Sequence, residues 1–299
     1  MAKKITKALI PAAGFGTRFL PQTKAMPKEM MPLVDKPIIQ RVVEELVDAG
    51  IETIVIVTGW NKRSIEDHFD NNFELEQKLE ASGKTDELKL VQNISDLAEF
   101  VYIRQKGPLG NATPILNAKH IMGDDPFLVF FGDEFVDATP SRAKQLIQAY
   151  EKYGSLIVNG IRITDEEGFK KYGTVGGTQI EPGVIKVDRI IEKPGSREAA
   201  PSDLGAIAGF LATSDIYEPL EKVRANLRDG EELVYTLGIQ GMIDRGVPVY
   251  AIETKNAIYR DTGNKLEYLK TVVEYGLAHE EFGVEFNEYL RKLMDSSKS

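Results

Sequence analysis

The chain has 299 residues, a formal net charge of −9, and 42% hydrophobic and 28% charged residues, a composition typical of a globular protein with a substantial core. The acidic balance argues against nucleic acid as a partner, because polyanion binding needs clustered Lys and Arg. The absence of cysteine excludes disulfides, thiolate metal sites and cysteine nucleophiles. No apolar run approaches the roughly 18 residues of a membrane span, so we expect a cytoplasmic protein that does not bind a membrane.

A glycine loop follows the first predicted strand, which covers residues 8–13. Gly14 and Gly16 let backbone N–H groups approach an anionic ligand closely, and Arg18 and Lys28 supply the positive charge that a polyphosphate demands. The loop lacks the Lys-Ser or Lys-Thr of a Walker loop and the third glycine of a dinucleotide fingerprint. Two glycines beside a solvated arginine are common in ordinary turns, but the longer string predicts a phosphate cradle.

Apolar runs of strand length then alternate with segments of helical period, which is typical of a largely parallel sheet covered by helices. Apolar residues recur at helical spacing over 38–47, Gly50 ends that helix, and residues 54–57 form the next buried strand. This is a βαβ unit with the glycine loop at the carboxyl end of its first strand. Residues 127–131 predict another buried strand, and the charged segment 71–96 is more typical of a helical insertion than of core.

The chain is predicted to form one α/β domain over 1–299, with a mixed, mostly parallel sheet. Beyond a first half, 1–154, the apolar runs become shorter and more β-rich, which predicts a second half, 155–263, that extends the same sheet. The segment 264–299 predicts C-terminal helices, and their apolar residues would cover either the core or a second subunit. Those residues form two predicted faces: Leu266, Leu269, Val272 and Val273, and then Phe286, Leu290 and Leu293.

The chain offers few groups for acid–base or covalent catalysis, since it has three histidines, no cysteine and no Gly-x-Ser-x-Gly elbow. Phosphoryl-group chemistry does not need them when the nucleophile is already an anion, because positioning and charge neutralisation supply most of the rate. Asp133, just past a buried strand, and Asp261 are the candidate ligands for Mg²⁺, which prefers few protein ligands. The alternative for Asp261 is a turn aspartate that caps a helix.

Glu192 and Lys193 follow a further predicted strand, residues 189–191. Their position predicts two charged side chains that leave a strand end in different directions. An ordinary ion pair at a sheet edge is the alternative interpretation.

The motifs that carry a family likeness are Pro11-Ala12-Ala13-Gly14-Phe15-Gly16-Thr17-Arg18, Thr23-Lys24-Ala25-Met26-Pro27-Lys28-Glu29-Met30, Pro32-Leu33-Val34-Asp35-Lys36-Pro37, Ile65-Glu66-Asp67-His68-Phe69-Asp70, Ile191-Glu192-Lys193-Pro194 and Asp261-Thr262-Gly263-Asn264. With these motifs in this order over nearly its whole length, the chain resembles the sugar-nucleotide pyrophosphorylases, and most closely the prokaryotic UTP–glucose-1-phosphate uridylyltransferases. The long first motif separates this group from the related thymidylyltransferases.

The resemblance implies a Rossmann-like nucleotidyltransferase fold in which 1–154 binds the nucleotide and 155–263 binds the sugar phosphate. It also implies that 264–299 is a possible subunit interface of a homodimer or homotetramer. The implied substrates are UTP and glucose 1-phosphate. A phosphate oxygen of the sugar would attack the α-phosphorus of UTP in line, giving UDP-glucose and pyrophosphate without a covalent intermediate.

The resemblance also assigns residues to roles. Arg18, Lys28 and Lys193 would be catalytic, with Lys193 on the sugar phosphate, and Asp133 and Asp261 would bind Mg²⁺. Gly173 and Glu192 would hold sugar hydroxyls, with Lys193 beside them. The implied nucleotide-binding residues are Ala12, Ala13, Gly14, Gly16, Thr17, Gln105 and Gly110.

Three positions depart from the family pattern. Pro108 has no N–H to offer in the loop that reads the base, which leaves a thymidylyltransferase as an alternative. Asp203 and Leu237 replace an amide and a carboxylate near the expected sugar site, which leaves a different sugar 1-phosphate open. A non-catalytic regulatory relative that only binds a nucleotide sugar is a third alternative, against which the retained Arg18 and Lys28 argue together with both candidate metal carboxylates.

Overall fold

The computed structural model describes residues 3–296; the remaining ends of the predicted 1–154 half and of the predicted 264–299 tail lie outside the described residues. The strands are β1 Lys7–Ala12, β2 Pro32–Leu33, β3 Lys36–Pro37, β4 Thr53–Thr58, β5 Glu99–Arg104, β6 Phe127–Val129, β7 Phe135–Ala138, β8 Leu156–Arg162, β9 Gly173–Glu181, β10 Val184–Ile191, β11 Leu204–Ala212, β12 Val249–Glu253 and β13 Ala257–Arg260. The helices are α1 Ile38–Asp48, α2 Arg63–Phe69, α3 Phe73–Ala81, α4 Thr85–Ser95, α5 Thr113–Met122, α6 Arg142–Tyr153, α7 Glu166–Lys171, α8 Tyr217–Asn226, α9 Tyr235–Asp244, α10 Lys265–Leu277 and α11 Gly283–Ser296.

One nine-stranded sheet runs through the molecule in the order β5-β4-β1-β6-β11-β8-β12-β10-β9. The neighbours β5, β4, β1 and β6 are parallel, and β8 and β12 are parallel to each other. Antiparallel pairing joins β11 to β6 and to β8, and β10 to β12 and to β9. The predicted α/β fold with a mixed sheet flanked by helices is therefore confirmed. The expectation that the sheet is mostly parallel is not, because four of the neighbour pairs in this order are parallel and four are antiparallel.

Helices cover both faces of the parallel strands, and this explains why those strands are apolar throughout. Ile10 and Ile56 belong to the core cluster that contains α1, whereas Leu9 and Val55 belong to the cluster that contains α5. All four side chains are fully buried. The carboxyl ends of β1, β4 and β6 consequently meet at one edge of a rigid sheet, where an open α/β fold binds its ligands.

The sequence placed the end of β6 too late. The strand stops at Val129 rather than at residue 131, because its pairing with β1 and its pairing with β11 both end at Val129. Phe131 instead lines a cavity beyond the strand end. The helical insertion predicted over 71–96 is confirmed as α3 and α4, which bury no residue completely.

The apolar face predicted on α10 is only partly correct. Leu266 and Leu269 are 59% and 58% exposed, whereas Val272 packs against the core together with Tyr268 and Tyr275. Two tyrosine rings, which an aliphatic spacing pattern misses, therefore share with Val272 the contact between this helix and the core. No helix within residues 3–296 is long and apolar enough to cross a membrane.

Candidate active site

The glycine loop turns sharply after β1 and is held from two sides. Gly16 has a φ of 66° and starts a 3-10 turn over Thr17–Phe19, a left-handed conformation that glycine adopts without steric cost. The Thr23 hydroxyl donates a 2.7 Å hydrogen bond to the carbonyl of Gly16. At the end of β4, a Cβ on Gly59 would lie 2.8 Å from the carbonyl oxygen of Ala13. Only a glycine lets these two strand ends pack so closely.

Lys28 lies under this loop and pairs with Asp133, which follows β6. The ammonium nitrogen of Lys28 is 2.6 Å from Asp133 Oδ2. The Lys28 side chain is 24% exposed and the Asp133 side chain is 21% exposed. Burial alone would lower the pKa of Lys28, but the charge of Asp133 and then that of Glu29 outweigh burial and raise it above its usual value. Lys28 is therefore a fixed positive charge at the floor of the loop.

A small second sheet brings Asp261 to Asp133. Strands β7 and β13 pair antiparallel, with Phe135 opposite Arg260, so the residues just before β7 and just after β13 lie side by side. The Thr262 hydroxyl donates to the backbone carbonyl of Asp133. Pairing of β7 with β13 thus joins two carboxylates that are far apart in the chain.

Gly263 marks the point on which three charged groups converge. A Cβ on Gly263 would lie 3.3 Å from Asp261 Oδ1, 3.5 Å from Asp133 Oδ2 and 3.5 Å from an Arg18 guanidinium nitrogen. The Tyr172 hydroxyl donates a 3.0 Å hydrogen bond to Asp261 Oδ2 and so orients that carboxylate. Two carboxylates and a guanidinium therefore face one small volume.

Behind this point, Glu134 receives a hydrogen bond from the Tyr259 hydroxyl. Burial raises the pKa of Glu134 to about 7, with the charges of Asp133 and Asp261 adding to the effect, while the Tyr259 hydrogen bond and Arg142 oppose it. Acidic charge is thus concentrated at the junction of β6 with β7.

The predicted site after β10 is more compact than expected. Lys193 adopts a φ of 45°, and its ammonium lies 3.6 Å from Glu192 Oε1. The expectation that these two side chains point in different directions was wrong, because the left-handed turn at Lys193 brings them together. The other carboxylate oxygen of Glu192 accepts a 3.0 Å hydrogen bond from the buried Thr236 hydroxyl.

Two cavities meet at Asp133. The loop cavity, about 340 Å³, lies against the glycine loop and is lined by Gly14, Lys28 and Gln105 among others. The inner cavity, about 510 Å³, extends toward β9 and β10. Both cavities are lined by Asn111, Phe131 and Asp133, so a ligand in one can touch a ligand in the other.

The structure distributes most of the residues singled out by the sequence between these cavities. The loop cavity receives Ala13, Gly14, Gly16, Thr17, Lys28, Gln105 and Gly110. The inner cavity receives Arg18, Gly173, Glu192, Lys193 and Asp261, and Asp133 lines both. Ala12 is the exception: it is 1% exposed and belongs to the core, because alternate residues of β1 face opposite sides of the sheet.

Sequence reasoning missed several residues of the inner cavity, namely Asn111, Lys171, Tyr172, Tyr235 and Tyr259. A signal existed for one pair, since Lys171 and Tyr172 directly precede Gly173 at the start of β9. Tyr235 and Tyr259 carried no signal, because a tyrosine in a mixed segment is typical of core.

None of the three positions that depart from the family pattern lines either cavity, although Leu109 and Gly110, next to Pro108, line the loop cavity. Asp203 pairs with Arg162, which also contacts Glu253 2.7 Å away, and Leu237 is 45% exposed. Neither residue lines the loop cavity or the inner cavity. Their expected place near the sugar site came from the resemblance to the family, and a motif match along the chain does not locate a side chain in space.

The altered loop around Pro108 is tightly anchored. The carbonyl of Pro108 accepts a 2.7 Å hydrogen bond from Thr113, and Gly110 has a φ of 126°. A Cβ on Gly110 would lie 2.1 Å from the carbonyl oxygen of Leu233. Gly110 is required where this loop crosses the segment that leads into α9.

The two carboxylates that converge near Gly263 suit a hard divalent cation. Asp133 and Asp261 provide carboxylate oxygens only, and among residues 3–296 no group of three or more His, Cys, Asp or Glu side chains could hold a metal ion. Two protein carboxylates, with ligand phosphates as further donors, match a cation that keeps few protein ligands. The residues present therefore fit a divalent ion.

The glycine loop, the half-buried Lys28 and the paired carboxylates lie together between two cavities, an arrangement that suits a ligand with several phosphates. A family model described as Nucleotidyl transferase matches residues 7–276, and the chain belongs to this family. It is 43% identical over 291 residues to UTP--glucose-1-phosphate uridylyltransferase 2 of Staphylococcus saprophyticus, covering 97% of this chain and 99% of that relative.

Solved structures agree with this family. A UDP-glucose pyrophosphorylase complexed with UDP-glucose superposes with a TM-score of 0.81 at 36% identity, covering 92% of this chain and 100% of the other. A UTP-bound UGPase from Acinetobacter baumannii superposes with a TM-score of 0.85 at 36% identity, covering 97% and 100%.

Proposed function

We propose that the protein transfers a uridylyl group from UTP to α-D-glucose 1-phosphate, releasing pyrophosphate and UDP-glucose. The observation that carries this proposal is the junction of the loop cavity and the inner cavity at Asp133, with Lys28 2.6 Å from its carboxylate. The choice of UTP and glucose 1-phosphate as substrates follows the names of the similar proteins. The 1–154 half supplies the nucleotide cavity, and the 155–263 half supplies much of the inner cavity, as its sugar-phosphate site.

The reaction needs positioning and charge neutralisation more than proton transfer. A phosphate oxygen of the sugar attacks the α-phosphorus, and the bond from that phosphorus to the bridging oxygen of pyrophosphate breaks. Lys28 contacts the α-phosphate and the leaving group, while Arg18 and Lys193 hold phosphate charge on the other side. Preorganised cations in a partly buried site stabilise the transition state more than the ground state.

The cofactor is proposed to be Mg²⁺, held by Asp133 and Asp261; nucleotidyltransferases in general use a divalent metal. When bound, such an ion supplies positive charge to the phosphates. The Tyr172 hydroxyl orients Asp261, and Lys28 together with Arg18 keeps the two carboxylates from repelling the triphosphate.

Uracil is read by Gln105 and by the backbone around Gly110, both of which line the loop cavity. The sugar hydroxyls are bound by Glu192 and by the backbone at Gly173, in the inner cavity. Because Asp203 and Leu237 lie outside both cavities, they do not argue for a sugar other than glucose.

Subunit association is proposed through the C-terminal helices, giving a homodimer or homotetramer. Leu266 and Leu269 on α10, with Val284 and Tyr289 on α11, are each more than half exposed. Light scattering after gel filtration tests this proposal, and a monomer at assay concentration would refute it.

A pyrophosphate-release assay tests the activity directly. UTP, dTTP, ATP, CTP and GTP are each paired with several sugar 1-phosphates in the presence of Mg²⁺. We expect the highest kcat/KM for UTP with glucose 1-phosphate. A preference for dTTP would identify a thymidylyltransferase, and silence with every pair would favour a regulatory protein that only binds a nucleotide sugar.

A further inference from the structure

We infer that Thr236 is a positioning residue, which aims the Glu192 carboxylate into the inner cavity and thereby sets the affinity for the sugar moiety. The inference rests on the proposed function for the identity of the sugar. The contact between Thr236 and Glu192 does not depend on that function. Thr236 itself does not line the inner cavity. It acts through Glu192, which does.

The hydrogen bond between these residues is well defined. Thr236 is 1% exposed, and its hydroxyl donates to Glu192 Oε2 at 3.0 Å. The other oxygen, Oε1, faces the Lys193 ammonium at 3.6 Å. Each oxygen of Glu192 thus has a different partner, and together the two partners restrict rotation of the carboxylate.

Gly173 closes the third side of this arrangement. A Cβ on Gly173 would lie 3.2 Å from the Thr236 methyl carbon and 3.3 Å from Glu192 Oε2. These distances are tighter than most real contacts, so the backbone of Gly173 packs directly against the Thr236–Glu192 pair. The carboxylate is held between a strand backbone, a hydroxyl and an ammonium.

Thr236 is itself held in place through the residue before it, Tyr235, which lines the inner cavity. The preceding residue, Tyr235, donates its backbone N–H to Asn111 Oδ1 at 2.9 Å and its hydroxyl to the carbonyl of Ala206 at 3.0 Å. These bonds anchor the first turn of α9 both to the loop before α5 and to β11. The hydroxyl of Thr236 therefore approaches Glu192 from a rigid support.

The chemical consequence concerns the lone pairs of Glu192. A carboxylate whose orientation is fixed can accept hydrogen bonds from two neighbouring sugar hydroxyls without first losing rotational freedom. Without the Thr236 hydroxyl, the carboxylate keeps the packing of Gly173 and the more distant Lys193 ammonium, but loses its short hydrogen bond. Thr236 thus favours binding of the sugar phosphate and leaves the nucleotide subsite unaffected.

The test compares Thr236→Val, which keeps the shape and removes the hydroxyl, with Thr236→Ser, which keeps the hydroxyl. We expect Thr236→Val to raise KM for glucose 1-phosphate about tenfold, the effect of one hydrogen bond to a charged group. KM for UTP should stay within about twofold, and Thr236→Ser should behave nearly as wild type. The inference would be overturned if Thr236→Val raised KM for glucose 1-phosphate and KM for UTP equally. It would also be overturned if Thr236→Ser were as impaired as Thr236→Val.

A double-mutant cycle separates a positioning role from a structural one. In a Glu192→Ala background, the Thr236→Val change should produce no further rise in KM for the sugar phosphate, because its target is gone. An additive effect would mean that Thr236 acts elsewhere. Should Thr236→Val fail to fold, Thr236→Ala serves in the same cycle.

Binding of UDP-glucose, measured by calorimetry, keeps this test independent of turnover. If wild type binds UDP-glucose but shows no pyrophosphate release, the proposed function fails while the Thr236 inference is still tested by the change in Kd. A Kd for UDP-glucose that Thr236→Val leaves unchanged would overturn the inference, even with full uridylyltransferase activity in wild type.

Discussion

Replacing Lys62 by Met is expected to destabilise the fold through the Glu29 carboxylate that it leaves behind. Glu29 is fully buried, Lys62 is 5% exposed, and their charged atoms are 2.7 Å apart. The other oxygen of Glu29 has no hydrogen-bond partner among the described residues. Removing one member of such a pair leaves an uncompensated buried charge, which typically costs about 3–5 kcal/mol.

Protonation of Glu29 limits this cost. Burial already raises the pKa of Glu29 above its ordinary 4.5, against the opposing charges of Lys62 and Lys28. Taking up a proton at pH 7 costs about 1.4 kcal/mol for each pH unit above the ordinary pKa. The expected loss in the Lys62→Met variant is therefore about 3 kcal/mol at pH 7, or about 5 °C in Tm for a chain of this size.

The sign of the pH dependence follows from the same group. In the variant, the pKa of Glu29 is higher in the folded chain than in the unfolded chain. The favourable contribution of Glu29 to the free energy of unfolding is therefore present at low pH. It is lost as the pH rises through the pKa of Glu29 in the folded chain. The deficit relative to wild type should shrink by about 1.4 kcal/mol for each pH unit below 7, until Glu29 also becomes protonated in the unfolded chain.

Urea unfolding followed by circular dichroism at several pH values measures this deficit. Lys78→Met is the matched control, because Lys78 pairs with Glu74 on the surface of α3 at 2.7 Å and should contribute at most about 0.5 kcal/mol. A Lys62→Met variant as stable as this control at pH 7, or one whose deficit grows as the pH falls, would refute the reasoning.

Three further changes probe the site. Asp133→Asn should lower turnover with Mg²⁺ by about 10²–10³-fold, measured by pyrophosphate release; near-normal turnover would remove Asp133 from the proposed metal site. Gly110→Ala should weaken UTP binding measured by calorimetry, because the new Cβ would meet the backbone of Leu233. Gly154→Ala is the control: Gly154 is also left-handed, with a φ of 65°, but a Cβ there would point into open space. This control should cost only about 1–2 kcal/mol of stability and leave UTP affinity intact. Lys193→Met should raise KM for the sugar phosphate about tenfold or more with KM for UTP little changed, and a rise confined to UTP would contradict the assignment.

Local patterns in the sequence accounted for the first half of the fold well. The helix over 38–48 and the strands on either side of it are set by residues close together in the chain, whose apolar spacing reflects burial on one or both faces. The same spacing was only partly correct for α10, where Val272 contacts the core as predicted but Tyr268 and Tyr275 do so in place of Leu266 and Leu269. It failed for the two leucines because periodicity reports which residues are apolar, and not which neighbour will cover them.

The candidate site divides in the same way. The glycine loop, Arg18 and Lys28 were found from the sequence, since the chemistry of a phosphate cradle demands those residue types within a few positions of one another. The resemblance assigned Ala12 to nucleotide binding, but its side chain lies in the core, because the orientation of a strand residue depends on the layers that cover the sheet.

By itself, the sequence determined the class of the fold, the anionic nature of the ligand and the motifs that place the chain in its family, because all three follow from residue type and short-range spacing. Only the tertiary structure decided that β13 pairs with β7 and brings Asp261 to Asp133, that Thr236 holds Glu192, and that Asp203 and Leu237 lie outside the site. These contacts join distant segments of the chain. Their geometry depends on the packing of the whole sheet, which no local pattern encodes.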